Sequence, residues 1–85
     1  MRHIQVIISG GTPEQNREVC TRCCSFFRRG AVANPTEPVR DQNGAYFFYV
    51  DVDGRMGNNR IAQTIYTICN EGQMVTIDGN YYERN

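Results

Sequence analysis

Apolar and polar positions alternate in some stretches of this chain and recur every three to four residues in others. Residues 3–8, HIQVII, are rich in β-branched side chains, and alternation places Ile4, Val6 and Ile8 on one face of a first strand. That strand stops at Gly10-Gly11. The following TPEQ has the form of a helix start, with Thr12 as N-cap, Pro13 at the first helical position, Glu14 in the first turn and Gln15 set to close a capping box. The helix is expected to run to about Arg29 and stop at Gly30. Its apolar positions, Val19, Cys20, Cys23, Cys24, Phe26 and Phe27, recur at helical spacing and predict one buried stripe.

Two prolines between residues 31 and 38 forbid helix there. EPVRDQNGAYFFYV then reads as a short strand, a turn at Asn43-Gly44 and a longer strand. GNNRIAQTIYTICNEG predicts a second helix with Ile61, Ile65, Ile68 and Cys69 on one face, Asn58 or Asn59 as cap and Gly72 as stop. QMVTIDGNYYERN gives a last strand turning at Asp78-Gly79, with a short tail free to pair back. The order β-α-β-β-α-β predicts an α+β, ferredoxin-like fold, with one antiparallel sheet and two helices on one face.

The aromatic strand YFFYVDVDG sharpens that picture. Alternation sends Tyr46, Phe48 and Val50 toward the helices and Phe47 and Tyr49 to the opposite side. The open face of the sheet thus carries two aromatics, a candidate partner surface. Asp51 and Asp53 read as a solvated strand end leading into a turn.

Composition narrows the function classes. At 85 residues the chain has room for a single domain, 1–85, with a modest core, and a partner subunit is expected to add stability. Nine arginines balance nine acids, which gives no electrostatic footprint for nucleic acid or an anionic membrane. The first apolar run is too short for a membrane span, and a cytoplasmic location is expected. Leu, Lys and Trp are absent, so Ile, Val, Phe, Tyr and Met must fill the core.

Candidate chemistry is sparse. Cys20, Cys23, Cys24 and Cys69 would meet if both helices share a face, and four thiolates suffice for zinc. Each also occupies a position the apolar stripe needs, so buried cysteine is the expectation, with no metal and no cofactor. A reversible disulfide to Cys69 stays open. Asp51-Val52-Asp53-Gly54 lacks the further ligands and the closing Glu of a calcium loop. His3 is the single histidine, and no Cys-His or Ser-His-Asp arrangement can be built on it. An RNA-stacking sheet is disfavoured because the first strand offers Gln5 where an aromatic would stand. Gly10 and Gly11 before a helix start form a candidate anion site.

The second half resembles a known family. YFFYVDVDG, RMGNNRIAQTI and IDGNY are similar to the ACT regulatory domain that follows the catalytic region of bacterial prephenate dehydratases. Tyr46, Phe48, Tyr49, Asp51, Asp53, Gly54, Arg60, Ile61, Gly79 and Tyr81 fall in register with that pattern. FFRRG resembles the family's Phe-x-x-Arg-Gly, and Glu37 stands where the Glu of its Glu-Ser-Arg-Pro motif would. The similarity spans about residues 26–82. The family's Gly-Ala-Leu-Val motif falls on Arg17-Glu18-Val19-Cys20, where Val19 is the conservative match, and its second motif reads Glu37-Pro38-Val39-Arg40.

The resemblance implies a module that pairs and binds an amino acid, phenylalanine in the dehydratases, at the interface between copies. It implies a ligand site of Gly10, Gly11, Thr12, Val19, Asn34, Glu37 and Val39. The ligand carboxylate would meet the loop N–H groups, and its side chain would meet Val19 and Val39 of a second copy. The leading expectation is a non-catalytic regulatory domain, excised or free-standing, for an associated biosynthetic enzyme. The alternative is an ACT-fold protein serving as an assembly module, or carrying an acquired activity in a specialised pathway.

Overall fold

The computed structural model describes residues 1–30, 34–70 and 72–85. Its elements are β1 (Arg2–Ser9), α1 (Pro13–Arg29), β2 (Val39–Arg40), β3 (Tyr46–Val52), α2 (Asn58–Tyr66), β4 (Met74–Ile77) and β5 (Asn80–Tyr82). The strands form one sheet in the order β2-β3-β1-β4-β5, with every neighbouring pair antiparallel. This is the expected ferredoxin-like α+β arrangement, with the short tail paired back as a fifth, edge strand.

The inner face of the sheet carries Ile4, Val6, Ile8, Phe48, Val50, Val52, Val75 and Ile77, all buried. Against it lie Val19, Cys20, Cys23, Cys24 and Phe27 of α1 and Ile61, Ala62, Ile65 and Tyr66 of α2. Phe26 departs from the predicted stripe: it sits at the stripe's margin, is 42% exposed, and stands edge-on to Phe27 at 5.7 Å. Asn16 takes a buried place on the same face. No helix among the described residues is long and apolar enough to cross a membrane.

The start of α1 follows the predicted capping box. Gln15 N donates to Thr12 Oγ1 at 3.2 Å, and Thr12 N donates to Gln15 Oε1 at 2.9 Å. Its stop falls at Gly30 as expected, although Gly30 is extended there and has no left-handed turn. The proline-bearing stretch from residue 34 to 38 is non-helical; residues 31–33 of that prediction lie outside the described residues.

The second helix corrects the prediction at both ends. Gly57 is its N-cap, because Asn58 Oδ1 is taken by Arg2 Nη2 at 2.7 Å and Asn59 Oδ1 by Gln63 Nε2 at 3.2 Å. The helix ends at Tyr66, well short of Gly72. Thr67 Oγ1 bonds back to the Thr64 carbonyl at 2.6 Å, and Ile68 N tightens onto the Ile65 carbonyl at 2.9 Å. The Tyr66 carbonyl is drawn to Arg84 Nη1 at 2.9 Å. Ile68 and Cys69 follow the helix and are half-buried.

The hairpin turns divide in the same way. Asp78 (φ 50) and Gly79 (φ 82) form the predicted two-residue turn, with Ile77 opposite Asn80. Asn43-Gly44 does not turn alone. Asp41 N bonds the Ala45 carbonyl at 2.9 Å, while Asp41 Oδ1 accepts from Asn43 N at 2.8 Å and Ala45 N at 3.0 Å. The result is a three-residue loop closed by Gly44 at φ 80.

Candidate functional site

The loop between β1 and α1, where a ligand carboxylate was expected, spends the N–H groups of Gly11 and Thr12 on its own chain. Gly11 N donates to Asn16 Oδ1 at 3.0 Å, and Thr12 N is held by Gln15 as described. Gly10, at φ 92, lies so close to the Gly72 carbonyl that any Cβ would collide with it. Beside this loop Gln73 is buried, and its side-chain amide makes no hydrogen bond among the described residues.

The other implied ligand residues lie apart from that loop. Val19 is fully buried under α1. Glu37 is exposed and pairs with Arg28 at 3.0 Å, near the far end of the helix. From Thr12 to Arg28 the helix rise alone separates the two places by about 24 Å. Asn34, exposed and left-handed at φ 60, begins the same returning segment. Val39 is half-exposed on the edge strand and faces the open side of the sheet. One subunit therefore gathers Gly10, Gly11 and Thr12, but not these with Val19, Asn34, Glu37 or Val39.

The open side of the sheet carries several exposed apolar side chains. Register aligns Val39 with Phe47, Phe47 with Ile7, Ile7 with Thr76, and Thr76 with Tyr81, one row across all five strands. Phe47 and Tyr49 meet edge-on with ring centroids 6.1 Å apart. Tyr49 stacks in parallel on His3 at 5.4 Å, and His3 Nδ1 lies 2.8 Å from Asp51 Oδ1. Val39, Tyr49, Met74 and Tyr81 remain exposed. The cross-strand pairing of His3 with Asp51 escaped sequence reading, because it depends on the register between β1 and β3.

The cysteines pack as apolar filler. Burial pushes the thiols of Cys20 and Cys23 far up, and the neighbouring thiols push them further. Cys24 is raised to about 11, chiefly by burial, and its Sγ points to the Thr36 carbonyl at 3.6 Å. Burial also raises Cys69. Thiols held protonated are poor nucleophiles and poor metal ligands. Among the described residues no group of three or more His, Cys, Asp or Glu side chains is placed to hold a metal ion.

On the helix side, a cavity of about 290 Å³ opens between the last turn of α1 and the first turns of α2. Phe26, Phe27, Val52, Met56 and Ile61 line it, with Arg60 and Thr64 at its edge. It forms because α2 starts only after the turn at residues 53–57. Asp53 organises that turn, accepting from Arg55 N at 2.9 Å and pairing with the Arg55 guanidinium, which holds the carboxyl below its usual range.

The chain matches no protein-family model, and no curated protein or solved structure is significantly similar to it.

Proposed function

We propose that this chain is a non-catalytic, ACT-like regulatory module that works as a homodimer, pairing through the open face of its sheet. The observation that carries this reading is the row Val39–Phe47–Ile7–Thr76–Tyr81, apolar or aromatic but for Thr76, which spans the sheet opposite the helices. The five strands are 8, 2, 7, 4 and 3 residues long, and at about 4.8 Å between strands and about 3.3 Å per residue they give a face of roughly 400 Å² in projection. Partners in standard interfaces each bury about 800 Å², so the face suits a modest dimer.

A second copy is the occupant the chemistry favours. Asp51 is already hydrogen-bonded within its own face, its Oδ1 2.8 Å from His3 Nδ1, so that oxygen asks for no partner from a second copy. Thiols held protonated by burial support a binding role over a catalytic one. The small molecule for which such a module would act is an amino acid or a related compound, and its target is an associated biosynthetic enzyme.

Mass in solution tests the pairing. The full chain is expected to sediment as a dimer, and Phe47→Ser and Tyr49→Ser are each expected to shift it to monomer with unchanged far-ultraviolet dichroism. A monomeric native protein at high concentration would sink the reading. Loss of fold in both variants would show that the two rings serve the core instead.

A further inference from the structure

The cavity between α1 and α2 has an apolar body and one cation at its edge. Among the described residues no acidic side chain lines it. Arg60 is exposed and makes no ion pair among the described residues. The acid nearest in the adjoining depression, Asp53, is already engaged by Arg55, whose Nη2 lies 2.9 Å from Asp53 Oδ2. Thr64 spends its hydroxyl proton on the Arg60 carbonyl at 3.0 Å, which leaves the Arg60 guanidinium as the strong donor at the rim. Phe26 and Phe27 stand edge-on to each other, and Met56 adds a polarizable sulfur to the same lining. Both features favour an aromatic ring.

We infer that this cavity binds a small aromatic monocarboxylate, its ring between Phe26, Phe27 and Met56 and its carboxylate on the Arg60 guanidinium. At about 290 Å³ the space lies at the lower end for small-molecule sites, which fits one ring and excludes a nucleotide or a long acyl chain. The described lining offers no carboxylate for an α-ammonium group, so an acid without that group is preferred to the matching amino acid. The inference deepens the regulatory reading by giving its small molecule a class and a place, and it rests on that part of the reading alone. The pairing face is on the other side of the sheet.

Amide chemical shifts of the full chain, titrated with 3-phenylpropionate, provide the test. Saturable shifts are expected at Phe27, Gly30, Met56 and residues 60–64, with a dissociation constant on the order of 1 mM. The uncharged analogue 3-phenylpropanol should bind about tenfold more weakly, as should the acid to Arg60→Gln, while Arg60→Lys keeps part of the affinity. Phe26→Ala removes a half-exposed lining ring without opening the core and should also weaken binding. Equal affinity in Arg60→Gln overturns the inference, as do shifts confined to residues 10–12 or none at all. The same titration on Phe47→Ser separates the two proposals, because binding retained in a monomer upholds the cavity whatever becomes of the dimer.

Discussion

Asn16 sits on the buried face of α1, where an amide is costly unless its polar atoms are used. All of them are: Oδ1 accepts from Gly11 N at 3.0 Å, and Nδ2 donates to the Gly11 carbonyl at 3.2 Å and the Gly44 carbonyl at 3.0 Å. One side chain thereby ties the first loop to the β2–β3 hairpin. Asn16→Ala should cost about 2 kcal/mol or more in urea unfolding, since it strands buried groups on both segments. A polar residue at a helical position otherwise filled by Val19, Cys20, Cys23 and Phe27 was the available signal, yet nothing in the sequence pointed to Gly44 as its partner. The thiols make a second residue-scale prediction. The folded chain holds the Cys24 proton up to about 11, against 9.0 for an ordinary thiol, and holds those of Cys20 and Cys23 more tightly still. This contribution is complete below pH 9.0 and is lost as the pH rises toward 11, so the urea midpoint should fall across that window. Cys24→Ala should fall less steeply over the same range.

At the scale of elements, local chemistry was legible and long-range capping was not. The capping box at Thr12 and Gln15, the alternation of β1 and the Asp78-Gly79 turn each follow from residues adjacent in sequence. The start and end of α2 depend instead on arginines from the chain termini, Arg2 on Asn58 and Arg84 on the Tyr66 carbonyl. The cavity shares that origin, since its walls come from α1, β3 and α2 and no sequence window contains them. Tyr66 shows the tertiary element most clearly. Its hydroxyl donates to the Tyr82 carbonyl at 2.6 Å and accepts from Val75 N at 3.0 Å, while Arg84 lies over its ring at 4.8 Å. Tyr66→Phe should cost about 1–3 kcal/mol and loosen amide protection in β4 and β5 before β1. Thr12→Ala should cost about 1 kcal/mol, with the loss confined to the first turn of α1. Hydrogen exchange distinguishes the two patterns.

For the whole molecule, a two-layer fold leaves one sheet face without cover, and that face decides how copies would meet. The row it would pair through is largely apolar, so the proposed dimer should change little between low and high salt, whereas one held by charge would dissociate. Sedimentation at two ionic strengths reads this directly. The four cysteines carry a different consequence. Three are buried in the packing between α1 and the sheet, and the fourth is half-buried beyond α2. A thiol reagent can reach the first three only when α1 lifts, so the rate at which it consumes them clocks that opening in the native protein. Cys69 should react first and the other three together, so the chain carries its own stopwatch for the detachment of its longest helix.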